Sequence, residues 1–156
     1  MKYLFLFSIL LICVSCKKDY NSQYTATIIN NTTHSIKILF FKSGIVEIND
    51  TIKLSQNQQI EIANGTLRGN VTAPGFTSKY FGGNNDSIVV IFDNFYKISH
   101  YVNAPLQKAM KHYLYNSPRN ILNVLSYRFV TKSSSNNTSQ NNHYYEFKEQ
   151  DYLDAL

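Results

Sequence analysis

The chain has 156 residues, of which 44% are hydrophobic and 16% are charged, and its formal net charge is +5. This composition is too apolar and too weakly charged for a disordered chain. The basic residues are scattered singly or in pairs, so no nucleic-acid partner is indicated. Abundant Asn, Ser, Thr and Tyr are typical of a protein built on exposed β-sheets.

An apolar segment near the N-terminus predicts a signal peptide. Lys2 supplies a positive charge, and residues 3–14 form a mainly apolar stretch. A membrane-spanning helix needs about 20 such residues, whereas the core of a signal peptide has about 7–15. We therefore expect residues 1–15 to be removed on secretion.

Residues 13–16, Cys-Val-Ser-Cys, resemble the bacterial lipobox, with Cys13 in place of the usual Leu. The resemblance implies that Cys16 is the first mature residue and carries a lipid such as palmitate. Because acyl chains contribute about 0.8 kcal/mol per buried methylene, we expect a membrane-anchored protein of the cell envelope. The outer membrane is the expected location, with the leaflet left open. Residues 16–22 are then a tether, and residues 23–156 a single β-rich domain without thiol chemistry.

Several short β-branched and aromatic runs predict strands in the first half of the domain. The runs 24–30 and 36–41 flank a turn at 31–34 whose polar side chains bond their own backbone, which predicts a hairpin. Residues 64–85 are rich in glycine and predict a long loop. Shorter strands are expected at 45–48, 51–54 and 59–63.

The second half begins with its most apolar run, residues 88–92, which predicts a central strand. A turn at 93–94 joins it to residues 95–101 as a second hairpin. Helical spacing of Leu106, Met110, Tyr113 and Leu114 predicts one short helix at 104–115. Closing strands are expected at 126–131 and 143–147, around a polar loop at 132–142, with a final helical turn at 149–156.

Eight to nine short strands with one short helix favour a mainly β fold. The expected architecture is a single antiparallel β-sandwich or a small barrel.

Residues 86–93, 119–123 and 144–152 resemble segments of small lipoproteins of Bacteroidota. That resemblance implies a β fold and an envelope location, and it adds no catalytic residue. Two triplets, at 50–52 and 86–88, are also similar to the O-glycosylation sites of exported proteins in that phylum. They imply Thr51 and Ser87 as acceptors, although a turn followed by a strand accounts for the same residues.

Candidate catalytic chemistry is sparse. The four histidines have no spacing typical of a zinc site, so neither a metal nor another cofactor is expected. Glu47 and Glu61 are candidates for a glycosidase pair, but two solvent-facing positions are the favoured interpretation. The histidines are His34, His100, His112 and His143.

Two functions from different classes follow. The favoured one is a non-catalytic binding module for a glycan, a peptide or another envelope protein, and its candidate contact residues are Tyr80, Phe81, Tyr96 and Tyr101. Cross-strand packing explains these aromatic residues equally well. The alternative is a hydrolase or isomerase with a site assembled from His100, Asp93 and Glu47. A barrel with an apolar cavity would instead favour a lipid or small-molecule carrier.

Overall fold

The computed structural model describes residues 21–68, 86–103, 105–134 and 138–156. The described residues form ten strands and one α-helix, so the expected mainly β fold is confirmed. Short 3₁₀ turns occupy Ile48–Asp50 and Val124–Ser126. The elements are β1 (Asn21–Asn30), β2 (Ile36–Lys42), β3 (Ile45–Val46), β4 (Ile52–Leu54), β5 (Gln59–Arg68), β6 (Ser87–Phe92), β7 (Tyr96–Tyr101), β8 (His112–Tyr113), β9 (Arg128–Ser134), β10 (Thr138–Phe147) and α1 (Glu149–Ala155).

The strands divide into two sheets. The four-stranded sheet has the order β5-β1-β10-β9, with β1 and β10 parallel. The six-stranded sheet has the order β3-β2-β6-β7-β8, and β4 also pairs with β2. Within the described residues neither order closes on itself, so the architecture is a sandwich and not the alternative small barrel.

The core lies between the two sheets. Its residues alternate along each strand, because successive side chains of a strand point to opposite faces. Phe92 of one sheet meets Phe147 of the other edge to face, with ring centroids 6.3 Å apart. Burial on this scale is the main source of stability. The core side chains include Ala26, Ile28, Ile36, Ile38, Phe40, Ile88, Val90, Phe92, Tyr145 and Phe147.

The first predicted hairpin is wrong, since β1 and β2 belong to different sheets. The connecting turn does bond its own backbone as expected. The buried side chain of Asn30 accepts the Thr32 N–H at 3.0 Å and donates to the His34 carbonyl at 2.8 Å. Here the turn connects one sheet of the sandwich to the other. The local residue pattern does not distinguish this connection from a hairpin.

The second predicted hairpin is confirmed as β6 and β7, and β6 lies at the centre of its sheet. Asp93 and Asn94 at the turn have φ of 48° and 65°. The Phe95 N–H donates to the Phe92 carbonyl at 2.9 Å. Two consecutive positive φ values give the turn the twist that antiparallel strands prefer.

The predicted helix at 104–115 is wrong in position. Residues 105–111 are irregular and 112–113 form β8, whereas the helix is α1, where a helical turn was expected. Leu106 is fully exposed and Met110 is 91% exposed, while Tyr113 is half-buried. The apolar residues therefore do not share one buried face, and tertiary contacts override their helical spacing.

The predicted polar loop at 132–142 is mostly strand, because β9 extends to Ser134 and β10 begins at Thr138. Two polar side chains of β10 are hydrogen-bonded to β1. Thr25 donates to the Asn142 side chain at 2.7 Å, and Ser139 donates to Ser22 at 3.0 Å.

Two strands also extend into segments for which the sequence predicts a loop or a tether. β5 continues to Arg68, inside the predicted long loop, and β1 begins at Asn21, inside the predicted tether. The signal-peptide prediction and Cys16 lie outside the described residues. Among those that are described, no helix is long and apolar enough to cross a bilayer.

Candidate functional site

The six-stranded sheet carries apolar side chains on its outer face as well as on its core face. Leu39 and Phe41 of β2, and Val89 and Ile91 of β6, point away from the core but remain half-buried or buried. Leu39 lies directly opposite Val89 in the strand register. An antiparallel sheet with one solvated face is normally polar on that face, so these four residues form an apolar patch where polar side chains are usual.

The irregular segment 105–111 turns this surface into a groove. The segment is attached to β7 because the Ser99 N–H donates to the Lys111 carbonyl at 3.1 Å. The Ala109 N–H also donates to the Tyr101 hydroxyl at 3.1 Å. The resulting groove, which we call the apolar groove, has a volume of about 440 Å³. Its lining is mostly apolar and consists of Leu39, Phe41, Val89, Ile91, Ala109 and Met110 with Lys97, Ser99 and Lys111.

A second recess of about 360 Å³ adjoins the apolar groove, since Ile91 lines both. We call it the lysine hollow, because Lys37 and Lys53 line it together with Ser35, Ser55 and Asn94. Both volumes fall in the range of about 300–1,000 Å³ typical of small-molecule sites.

The lysines of this face are arranged in a row. Lys37 of β2 lies directly opposite Lys53 of β4 and, on its other side, opposite Ile91, which in turn faces Lys97 of β7. In the part of the chain that the structure describes, none of the three forms an ion pair.

A separate cluster surrounds His34. Its Nδ1 lies 2.5 Å from Asp93 Oδ2, and its Nε2 lies 3.6 Å from Glu149 Oε2. Its ring stacks on Tyr152 at 3.5 Å between centroids. The hydrogen bond from His34, followed by those from Ser35, lowers the pKa of Asp93.

The His34 cluster lacks the geometry of a catalytic triad. A triad histidine turns one nitrogen to a carboxylate and the other to a nucleophile, whereas both nitrogens of His34 face carboxylates. The Ser35 hydroxyl donates to Asp93 at 3.1 Å. The cluster instead joins the β1–β2 connection, the β6–β7 turn and α1, which is a structural role.

A third group, the Arg119 cluster, contains Arg119, Asp151, Tyr113 and Asp154. Arg119 binds both carboxylate oxygens of Asp151, with Nε 2.9 Å from Oδ1. Asp151 is only 1% exposed. The Tyr113 hydroxyl donates to Asp154, and burial, followed by this bond, raises the pKa of Tyr113. The segments 119–123 and 144–152, which carried the lipoprotein resemblance, thus meet here and attach α1 to the sheet.

His100 lies beneath the Arg119 cluster on the inner face of β7. Its Nδ1 accepts the Ile121 N–H at 3.1 Å, so the hydrogen of the neutral ring is on Nε2. Burial, with the charge of Arg119, lowers the pKa of His100 to about 3. The ring is therefore neutral near pH 7 and belongs to the core.

The structure does not bring together the residues proposed for an enzyme. Among the described residues, His100, Asp93 and Glu47 make no hydrogen bond or ion pair with one another. Glu47 precedes a 3₁₀ turn beside the six-stranded sheet, whereas Glu61 is exposed on β5 of the other sheet. Within residues 21–68, 86–103, 105–134 and 138–156, no group of three or more His, Cys, Asp or Glu side chains is placed to bind a metal ion.

The candidate contact aromatics are separated. Tyr101 lies at one end of the outer face, in a row with Ser87 and Phe41. Tyr96 packs edge to face on Tyr152, with centroids 5.5 Å apart, and so belongs to the His34 cluster. Tyr80 and Phe81 lie outside the described residues.

The candidate glycan acceptors both lie in the six-stranded region. Ser87 opens β6 and is half-buried, and its hydroxyl donates to Asp86 at 3.1 Å. Thr51 is half-buried between the first 3₁₀ turn and β4. Both positions fit the expected turn followed by a strand.

Sequence reasoning missed the apolar groove and the lysine hollow. A signal was present, because residues 36–41 and 88–92 are apolar at both odd and even positions, which predicts strands covered on both faces. The lysine row could not be predicted from the sequence, since Lys37, Lys53 and Lys97 come from three different strands.

Comparison of the chain with models of protein families, with curated proteins and with solved structures found no match.

Proposed function

We propose that the protein is a membrane-anchored lipoprotein of the cell envelope that acts as a non-catalytic binding module. Its binding site is the apolar groove together with the lysine hollow. The single observation that carries the proposal is a recessed, mostly apolar patch on the outward face of a sheet whose inward face already forms the core.

The anchor part of the proposal is supported by the residues before Cys16. An apolar stretch of signal-peptide length ends in a small residue and a cysteine. The described domain contains no cysteine and no bilayer-spanning helix, so a lipid on Cys16 is the attachment that these residues support.

The binding part is supported by the groove geometry. A recess lined mainly by apolar side chains is typical of small-molecule sites, because a ligand that enters it removes apolar surface from water. The segment 105–111 leaves Met110 91% exposed at the groove rim, which gives a ligand an accessible entry. Catalysis is not favoured, because no described acid, base and nucleophile converge on either recess.

Lipidation is tested by labelling cells with radioactive palmitate. The wild-type protein is expected to take up label and to sediment with membranes. The Cys16→Ala variant is expected to do neither, whereas Cys13→Ala keeps both properties because Cys13 lies in the removed segment. Label on the Cys16→Ala protein would contradict the proposed lipidation of Cys16.

Groove binding is tested with N-phenyl-1-naphthylamine, an uncharged dye that fluoresces in apolar surroundings. We expect Val89→Lys to abolish the fluorescence increase, since Val89 lines the groove. Leu153→Lys is the matched control, because Leu153 is an exposed apolar residue on α1. Equal loss in both variants, or no binding by the wild type, would count against the site.

A further inference from the structure

We propose that the two recesses together take one molecule of an anionic amphiphile. Its apolar chain lies in the apolar groove, and its phosphate or carboxylate head lies in the lysine hollow. This inference rests on the proposed binding function and names the ligand class of that site.

The charge of the ligand follows from the lysine row. Lys37 and Lys53 face each other across β2 and β4, and like charges at directly opposite positions destabilise a sheet. Among the described residues no carboxylate pairs with either one. An anion between them would remove the repulsion and form charge-assisted hydrogen bonds with both.

The amphiphilic character follows from the junction at Ile91. On one side of Ile91 the lining is mostly apolar and includes Leu39, Val89 and Met110, together with Lys97, Ser99 and Lys111. On the other side it changes to lysine, hydroxyl and amide groups, with Ser55 and Asn94 beside the two lysines. One ligand that spans the junction therefore meets an apolar surface and a cationic surface in succession.

An acidic residue next to the lysine hollow is already hydrogen-bonded. Asp93 borders the lysine hollow through Ser35 and Asn94. Its carboxylate accepts the Ser35 N–H at 2.9 Å and bonds His34. An anionic head is therefore placed toward Lys53, away from Asp93.

A single molecule fits these recesses better than a bilayer surface does. The two volumes, about 440 and 360 Å³, are those of small-molecule sites. A bilayer binds a protruding basic and apolar face through many headgroups at once, whereas Val89 and Ile91 line a recess together with Ala109 and Met110.

The test uses native mass spectrometry of the full chain released from uncharged detergent. The probes are decyl phosphate, the uncharged tetraethylene glycol monodecyl ether, and inorganic phosphate. We expect the wild type to gain one decyl phosphate. The double variant Lys37→Gln/Lys53→Gln should bind it about tenfold more weakly or worse, because two charge-assisted hydrogen bonds are lost.

The matched control is Lys42→Gln. Lys42 lies on the same strand as Lys37 but on its opposite face, so this variant should bind decyl phosphate like the wild type. The uncharged ether should bind weakly and equally to the wild type and the double variant, since it uses the groove alone.

Three results would overturn the inference. The double variant could bind decyl phosphate as tightly as the wild type, inorganic phosphate alone could compete fully, or the chain could bind anionic vesicles but no monomeric amphiphile. If instead both decyl compounds fail to bind and Val89→Lys changes nothing, the proposed binding function itself fails. Equal binding of the two compounds would reject the anionic head and leave the binding site intact.

Discussion

The Arg119 cluster and the lysine hollow differ in whether their charged side chains have ion-pair partners. In the first, the guanidinium of Arg119 binds both oxygens of a carboxylate that is 1% exposed. Although burial alone disfavours the charged guanidinium, the bonds to Asp151 raise the pKa of Arg119. In the second, Lys37 and Lys53 face each other with no described counter-charge.

The difference separates charges that hold the fold together from charges available to a ligand. A buried charge with a complete set of partners is costly to disturb. An exposed charge without partners contributes little to stability. The comparison therefore predicts large stability effects in the Arg119 cluster and small ones, of opposite sign, in the lysine hollow.

The largest effect is expected for Arg119→Met. This change leaves the Asp151 carboxylate buried and unpaired, which should lower the free energy of unfolding by about 3 kcal/mol. Urea unfolding measures the change. Arg128→Met is the control, because Arg128 forms a surface pair with Glu146 at 2.9 Å and should cost less than about 1 kcal/mol. Similar losses of stability in the two variants would contradict the distinction between the buried Arg119–Asp151 pair and the surface Arg128–Glu146 pair.

An intermediate effect is expected from pH. Unfolded His100 has its ordinary pKa of 6.5, whereas the folded value is about 3. The unfolded state therefore takes up a proton as the pH falls through 6.5 and the folded state does not. Stability should fall by on the order of 1.5 kcal/mol between pH 6.5 and 5 from this group.

Two variants isolate that contribution in urea unfolding at each pH. His100→Asn keeps an acceptor for the Ile121 N–H and should reduce the dependence on pH, while buried His143, whose pKa burial also lowers, keeps its own part of it. His112→Asn changes a half-buried histidine on β8 and should keep the wild-type dependence. A His100→Asn curve parallel to the wild type would show that the ring is not buried and neutral.

The smallest effect is expected for Lys53→Gln. Removing one of two opposed lysines should raise the free energy of unfolding by about 0.2–1 kcal/mol, and added salt should reduce the gain. Lys42→Gln serves again as the control and should change little. A clear loss of stability in Lys53→Gln would show that this lysine has a partner in the free protein.

Local signals predicted the parts of the fold that depend on neighbours in sequence. The β6–β7 hairpin followed from alternation and from Asp93 and Asn94, which tolerate positive φ. The final helix was anticipated at 149–156. The division of β1 and β2 between two sheets could not be predicted. The hydrogen bonds that Asn30 makes within the turn are compatible both with a hairpin and with a connection between two sheets.

The candidate site was mostly beyond sequence reasoning. Of the aromatic candidates, Tyr101 lies at the end of the outer face and Tyr96 lies elsewhere. Met110 was assigned to a helix because it repeats with Leu106, yet it lies at the rim of the groove. The lysine row depends on the register of three strands, and register is set by long-range pairing.

The parallel pairing of β1 and β10 has a consequence for how the chain matures. Ser22 and Ser139 are bonded neighbours although 117 positions separate them. During synthesis β1 can pair with β5 early, but its other neighbour, β10, is absent until nearly the whole chain has been made. Such long-range pairing is slow to form, so the four-stranded sheet is expected to be completed late in folding.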